Sequence, residues 1–147
     1  MKTDLVIGAY IVHESKVLLV YHKKLKMWLP VGGHIEQNET PEEAVIREVK
    51  EEVNMEIEFL NKTKFKITGT TKKVHALPFC VNTHSVGDHD HCCFFYVCKS
   101  KNQELDLEKK ELDDFKWFST KDLESNEVSL EVKEMALEAI NLTNLSE

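Results

Sequence analysis

The chain has 147 residues, of which 41% are hydrophobic and 31% are charged, and it carries a formal net charge of −7 at pH 7. This mixture favours one folded domain over residues 1–147, and it argues against wholesale disorder and against a duplex nucleic acid partner, which needs clustered basic residues. No apolar run approaches the roughly 18 residues of a membrane span, and Asp4 and His13 interrupt any signal-peptide core, so we expect neither a membrane partner nor export.

Two apolar runs of strand length open the chain, at residues 4–12 and 16–22. The three residues between them are short enough for a hairpin turn. Both runs are apolar on both faces, which predicts a sheet that is covered on each side.

A helix is predicted from Pro41 to about Val53. Thr40 is a good N-cap residue, Pro41 suits the first helical position, and Glu43 completes a capping box with Thr40. Asn54 follows the last helical residue and is able to adopt the left-handed conformation of a C-cap.

The remainder of the chain alternates strand-like and helical segments. Strands are expected at about 56–60, 63–70, 73–82, 91–99 and 114–118. Residues 119–122 are suited to cap a short helix. A last helix is indicated by apolar residues at helical spacing, namely Val132, Met135, Ala136, Ala139 and Ile140. Strands interrupted by helices in this way fit an α/β fold with a mixed sheet.

The predicted helix at 41–53 has two distinct faces. Its apolar arc, which we expect in the core, consists of Val45, Ile46, Val49 and Val53. The adjacent arc carries Glu48, Glu51 and Glu52, which repel one another and lie where the helix dipole disfavours anions. A divalent cation reverses this penalty, because hard cations prefer clustered carboxylate oxygens. A solvated acidic face is the alternative interpretation.

The segment before this helix contains two adjacent glycines, Gly32 and Gly33. Glycine permits a tight turn and a close approach of the backbone to a ligand, and a carbonyl there is able to offer an oxygen to a metal. An ordinary glycine turn is the alternative.

Taken together, the glycine segment and the helix resemble the signature of the Nudix hydrolase family. That signature is Gly, five residues, Glu, seven residues, Arg-Glu, an aliphatic residue, any residue, Glu-Glu, any residue, Gly and an aliphatic residue. The chain supplies its fixed positions over residues 33–55, with Asn54 in place of the final glycine. Asparagine is the next-best residue for a left-handed cap, so this departure is mild.

The resemblance implies a three-layer α/β/α sandwich with a mixed β-sheet. It further implies a hydrolase that cleaves the diphosphate linkage of a small-molecule nucleoside diphosphate derivative by attack of water on phosphorus, with Mg²⁺ or Mn²⁺ as cofactor. The charge argument agrees, because a diphosphate and three glutamates repel each other unless divalent ions lie between them. The sequence leaves a homodimer open as the oligomeric state.

Roles follow from the resemblance for individual residues. The metal ligands are Gly32, through its carbonyl, together with Glu48, Glu51 and Glu52. The supporting residues are Gly33, Glu36 and Glu39. The catalytic set is Arg47, Glu48, Glu51 and Glu111. Glu111 resembles the late glutamate that precedes a Trp-containing strand in some members and acts as base or outer ligand, and a plain solvated turn is its alternative.

A second stretch, residues 75–98, is rich in His and Cys. It contains no C-x₂-C pair, yet His89, His91 and Cys93 would share one face of a strand, so a zinc site is geometrically feasible. We favour the alternative in which Cys92, Cys93 and Cys98 are small core side chains, reduced in a cytoplasmic protein.

Three functions therefore compete at this point. The first is a metal-dependent Nudix pyrophosphohydrolase. The second is a catalytically silent Nudix-like module that binds a nucleotide, and the third is a zinc-binding protein that uses the His/Cys stretch. The intact set of helix glutamates favours the enzyme, while nothing outside the signature selects a particular substrate.

Overall fold

The structure is a computed structural model and describes residues 1–146. Its strands are β1 (Thr3–His13), β2 (Lys16–His22), β3 (Met27–Leu29), β4 (Val31–His34), β5 (Glu58–Phe59), β6 (Cys80–Ser85), β7 (Asp90–Lys99) and β8 (Leu112–Phe118). Its helices are α1 (Pro41–Val53) and α2 (Leu130–Leu145), with a short 3-10 helix at Asp122–Glu124. Within the described residues, no helix has both the length and the apolar character that crossing a bilayer requires.

The eight strands form one mixed sheet. Its main path runs β3-β2-β1-β7-β5, and β4, β6 and β8 pair with β1, β7 and β2 respectively. The long strands β1 and β7 are parallel, whereas the other pairs are antiparallel. The predicted hairpin between β1 and β2 is confirmed. Its two loop residues, Glu14 and Ser15, both have positive φ, as a tight hairpin turn with the twist of its strands requires.

The two faces of the sheet are covered by different helices. Along β1, Val6, Tyr10 and Val12 belong to the core cluster under α2. The alternate residues Ile7, Ala9 and Ile11 belong to the cluster under α1. Because successive residues of a strand point to opposite faces, this alternation produces the three-layer α/β/α sandwich that the family resemblance implies.

The ends of α1 are as predicted. The Thr40 hydroxyl accepts a hydrogen bond from the Glu43 backbone amide at 3.2 Å, and the Glu43 carboxylate accepts one from the Thr40 amide at 3.0 Å. Asn54 closes the helix at φ 52°, ψ 46°, in the left-handed region. The capping box and the left-handed Asn54 therefore fix the two ends of the helix that carries the acidic arc.

Three sequence-based expectations are wrong. Ile46 is 50% exposed and does not join the core, because Ala44 takes its place beside Val45 and Val49. Residues 63–70 form no strand, and of 73–82 only the last three belong to one. Both edges of β7 are already paired, with β1 on one side and β5 and β6 on the other, and residues 63–70 pair with none of the strands.

Candidate active site

The adjacent glycines lie in a strand, not in a tight turn. Gly32 pairs with Gly8 and Gly33 pairs with Ile7 of β1. Because they lack side chains, neighbouring groups are able to approach their backbone closely. A Cβ on Gly33 would lie 2.4 Å from Glu48 Oε1, and a Cβ on Gly32 would lie 2.3 Å from the Ile7 carbonyl oxygen. The carboxylate of Glu48 therefore occupies the space that any side chain at residue 33 would fill.

Arg47 organises the acidic residues around it. Its guanidinium grips Glu39 with two hydrogen bonds, Nε to Oε2 at 2.7 Å and Nη2 to Oε1 at 3.0 Å. Its Nη1 donates to Glu48 Oε1 at 2.8 Å and to Glu51 Oε2 at 3.3 Å. Hydrogen bonding to Arg47 lowers the pKa of Glu39. The geometry thus joins Glu39 to two of the three helix glutamates through one cation.

Two further contacts tie this network to the strand before α1. Arg47 Nη2 donates to the carbonyl oxygen of His34 at 2.9 Å, and Nη1 lies 3.6 Å from Glu36 Oε1. Glu39 Oε1 also accepts from the Glu36 backbone amide at 2.9 Å. Glu39 and Arg47, which the signature places eight residues apart, therefore hold the chain between β4 and α1 against the helix.

Glu52 lies on the same side of α1 but has different surroundings. Its Oε2 accepts a hydrogen bond from the Gly32 amide at 3.3 Å, and within residues 1–146 it forms no salt bridge. Burial, together with the negative charge of Glu48, raises its pKa to about 8. Burial also raises the pKa of Glu48. Without a bound cation, ionising both of these partly buried carboxylates is unfavourable.

A hard divalent cation fits this donor set. The carboxylates of Glu48 and Glu52 lie against the glycine strand, whose lack of side chains leaves room for them, and Glu51 is exposed on the same helix, where Arg47 also contacts it. Burial and the charge of Glu48 raise the pKa of Glu52, so a bound cation would favour its ionised form. Mg²⁺ and Mn²⁺ prefer such carboxylate and carbonyl oxygens.

Glu111 is exposed in the turn before β8. Its carbonyl accepts a hydrogen bond from the Lys23 amide at 2.9 Å. The charges of Glu111 and Glu108 both contribute to raising the pKa of Glu52, so the turn lies within electrostatic reach of that carboxylate. Glu108 instead stabilises the turn, because its carboxylate accepts from the backbone amides of Lys110 and Glu111.

The His/Cys stretch is divided by the fold. All four cysteines are free thiols, and Cys93 and Cys98 are buried, as expected for core side chains, whereas Cys92 is half-buried. His91 packs against other histidines, since its ring centroid lies 5.1 Å from that of His34 and 5.0 Å from that of His89. Burial lowers the pKa of His91.

Sequence reasoning missed two sets of residues. Glu42 is buried in the first turn of α1, where its carboxylate accepts from Lys73 Nζ at 2.7 Å and from the Ala76 amide at 2.9 Å and lies 3.1 Å from His75 Nδ1. These contacts fasten the long segment before β6 to the helix. The second missed set is the grouping of Asp4 and His34 with the later histidines. No local spacing signals either set, since the partners are about 30 or more residues apart.

Three aromatic residues, Trp28, Phe79 and Trp117, lie in the core or pack against it. Trp28 is 9% exposed and packs edge-on against Tyr21 and Phe118. Phe79 packs edge-on against Tyr10. Trp117 donates its indole N–H to the Gln103 carbonyl oxygen at 3.3 Å.

Comparison with known proteins identifies the family. The family model for the NUDIX domain matches residues 2–138. The crystal structure of a NUDIX-family hydrolase from Clostridium perfringens is 34% identical, with a TM-score of 0.88, and the match covers 97% of this chain and 99% of that one. The chain belongs to the Nudix hydrolase family. It is therefore a hydrolase, and the family supports pyrophosphohydrolase activity that depends on divalent metal ions.

Other Nudix structures share the fold at lower identity. A MutT NUDIX hydrolase from Burkholderia pseudomallei is 23% identical with a TM-score of 0.70, over 95% of this chain and 98% of that one. A UDP-X diphosphatase is 19% identical with a TM-score of 0.65, over 97% of this chain and 61% of that one. Among curated proteins, no sequence matches closely enough to count as a relative.

Proposed function

We propose that this Nudix hydrolase, as one domain over residues 1–147, cleaves the diphosphate linkage of a nucleoside diphosphate derivative by attack of water on phosphorus. The observation that carries the proposal is the complete acidic constellation on α1, with Glu48 and Glu52 packed against the glycine strand and Arg47 bound to Glu39. A protein that merely bound a nucleotide would have no need to bury two repelling carboxylates beside each other.

In this proposal the metal ligands are the carboxylates of Glu48, Glu51 and Glu52 and the carbonyl oxygen of Gly32. When bound, Mg²⁺ or Mn²⁺ neutralises phosphate oxygens and acidifies a water molecule. The chain itself supplies the positions of the ligands. Gly33 leaves space for the Glu48 carboxylate, and Arg47 restricts the orientation of Glu48 and Glu51 through hydrogen bonds of 2.8 and 3.3 Å.

Glu39 and Glu36 act through Arg47 and do not touch the substrate in this scheme. The two hydrogen bonds from Arg47 to Glu39 hold the guanidinium plane, and the Glu36 amide holds Glu39 in turn. Such supporting contacts typically contribute ten- to a hundredfold to metal affinity or activity. We expect their removal to be felt mainly through the positions of Glu48 and Glu51.

Glu111 is our candidate for the general base. It is exposed on the turn that precedes β8, and its charge acts on Glu52, so it borders the glutamate site without sharing the Arg47 network. A solvent-accessible carboxylate in that position is suited to accept the proton from an attacking water.

A panel of substrates tests the function. Purified protein with Mg²⁺ or Mn²⁺ is incubated with nucleoside triphosphates, dinucleoside polyphosphates, ADP-ribose and nucleotide sugars, and phosphate-containing products are quantified. We expect turnover of at least one class, and its loss in Glu52→Gln. The matched control is Glu131→Gln, a surface substitution on α2 far from α1, which should leave turnover unchanged.

The alternative function is a silent nucleotide-binding module. Binding of a panel nucleotide in calorimetry, without turnover under any metal condition, would replace the enzyme by this alternative. Equal turnover by Glu52→Gln and the wild type would instead remove the glutamate site from the mechanism.

A further inference from the structure

Four metal-ligating side chains from three strands meet at one end of the sheet. They are Asp4 on β1, His34 at the end of β4, His89 just before β7 and His91 within β7, and their ligand atoms all lie within 4.8 Å of one another. We propose that these four residues form a site for a divalent transition-metal ion of the Zn²⁺ type, distinct from the glutamate site. This proposal does not depend on the proposed hydrolytic function.

The distances between the ligand atoms are those of a tetrahedral site. Ligands held about 2.0–2.1 Å from Zn²⁺ at tetrahedral angles lie about 3.3 Å from one another. His89 Nε2 is 3.2 Å from His91 Nε2, and His34 Nε2 is 3.2 Å from Asp4 Oδ2. His89 Nε2 is 3.5 Å from the same Asp4 oxygen. Three of the six edges of the tetrahedron are thus present already, and they involve all four side chains.

A second observation points to metal binding by His89. The Asp88 carboxylate lies 2.6 Å from His89 Nδ1, where it acts as an acceptor for that ring nitrogen. The other ring nitrogen, Nε2, faces Asp4 and His91. Metal-binding histidines show this arrangement, in which a carboxylate orients the ring through the nitrogen that does not bind the metal. Lys2 approaches the other oxygen of Asp4, Oδ1, at 3.4 Å and leaves Oδ2 facing the histidines.

The register of the sheet separates this site from the glutamate site. Asp4 pairs with His91 across β1 and β7, and His34 pairs with Val6 across β4 and β1. Val6 belongs to the core under α2, so these side chains share the α2 face of the sheet. Gly33 precedes His34 and faces α1, where its space is filled by Glu48. The two sites therefore lie on opposite faces of the same strand.

The donor atoms also differ between the two sites. Three imidazoles with one carboxylate favour Zn²⁺ and its neighbours, whereas carboxylates with carbonyl oxygens favour Mg²⁺ or Mn²⁺. Cysteine is not part of the proposed set. Cys93 is 3% exposed in the core, and Cys92 points to the opposite face from its neighbour His91. The site thus uses Asp4 and His34 in place of the thiols of the His/Cys stretch.

A metal ion at this position would link β1, β4 and β7. Because it would bind the folded chain, it is expected to raise the thermal midpoint with increasing Zn²⁺ concentration. His34 gives the site a connection to α1, since its carbonyl oxygen accepts the hydrogen bond from Arg47.

The test measures Zn²⁺ affinity on the full chain without an affinity tag, after washing with a chelator. Zn²⁺ is titrated against a chromophoric chelator in excess Mg²⁺, which competes for the carboxylate site. We expect one tight Zn²⁺ equivalent for the wild type and an affinity at least about 100-fold lower for His89→Asn/His91→Asn. Asp4→Asn, which alters one ligand, should weaken binding at least about tenfold and provides a second variant should the first fail to fold.

Two control variants test the identity of the ligands. His84→Asn removes an imidazole that borders His91 but is not among the four clustered residues, and Cys92→Ser removes the half-buried thiol that follows His91 in the chain. Both should bind Zn²⁺ within about twofold of the wild type. An equal loss in either control, a thiolate charge-transfer band with Co²⁺, or unchanged affinity in His89→Asn/His91→Asn would overturn the proposal. So would the absence of tight Zn²⁺ binding by the wild type.

Discussion

The role of Glu52 can be tested through protein stability as well as through activity, by comparing Glu52→Gln with the wild type at different pH values. The pKa of Glu52 is raised from 4.5 to about 8 by burial and by the charge of Glu48. In the metal-free protein the native state therefore binds this proton more tightly than the unfolded chain. The stabilisation from protonated Glu52 is fully present below pH 4.5 and is lost as the pH rises to about 8.

The size of the effect follows from the same values. At about 1.4 kcal/mol per pH unit, the interval from 4.5 to about 8 sets an upper bound of about 5 kcal/mol on the free energy of unfolding that is lost. Side-chain relaxation and water access reduce this to about 1–3 kcal/mol. For a domain of this size, that range corresponds to roughly 3–10 °C in the thermal midpoint.

The assay compares thermal midpoints of wild type and Glu52→Gln in chelator at pH 5 and pH 8. Glutamine keeps the shape of the side chain and cannot ionise, so the variant should be the more stable protein at pH 8, and its advantage should shrink toward pH 5. Comparing the two proteins at each pH cancels the titration of their shared histidines. Glu51→Gln is the matched control, because the Glu51 side chain is 57% exposed and its charge is already paired with Arg47.

With Mg²⁺ present, the same variant should lose its advantage in stability and fall below about 1% of wild-type turnover, because an anionic ligand is missing. The reasoning fails if Glu52→Gln is less stable than the wild type at pH 8 without metal. Near-wild-type turnover at saturating Mg²⁺ would refute the role of Glu52 as a ligand.

The remaining predictions concern the metal ligands, the glycine strand and the base. Mg²⁺ at 100 times its dissociation constant should raise the thermal midpoint of the wild type by roughly 5–10 °C and that of Glu48→Gln/Glu52→Gln by much less, as scanning calorimetry will show. Gly33→Ala should lower both turnover and the Mg²⁺-induced shift, because its Cβ would lie 2.4 Å from Glu48 Oε1; equal shifts would contradict the close contact. Glu111→Gln should lower kcat by about 10²–10⁴ with little change in the Mg²⁺-induced shift. A rate restored by higher metal concentration would instead make Glu111 an outer ligand, and an unchanged rate would make it a surface residue.

The elements that could be predicted are those with local determinants. The capping box of α1 lies within four residues, and the apolar runs of β1 and β2 are continuous, so neither required knowledge of a partner. The strand expected at 63–70 failed for the opposite reason. Phe65 and Ile67 alternate with lysines as in a strand, yet they are 73% and 61% exposed and their segment pairs with none of the strands. Whether a segment finds a partner strand is a property of the whole sheet.

The same distinction applies to the candidate sites. The helix glutamates and Arg47 lie within one helix, and Gly33 and Glu39 immediately precede it, so their spacing carried the prediction. The Asp4 and His34 cluster had no such signal. Its members are brought together by the register of β1 with β4 and β7, and residues as far apart as 4 and 91 become neighbours only when those strands pair.

The negative charges on α1 are balanced unequally. Arg47 contacts Glu48 and Glu51 as well as Glu39, so one cation offsets much of the repulsion on that side of the helix. Glu52 receives a backbone hydrogen bond from Gly32 but no salt bridge within the described residues, and a raised pKa lets it remain protonated. A cation bound beside Glu52 would supply the positive charge that Arg47 does not. Of the helix glutamates, Glu52 is therefore the carboxylate whose ionised form a nearby divalent ion would stabilise most.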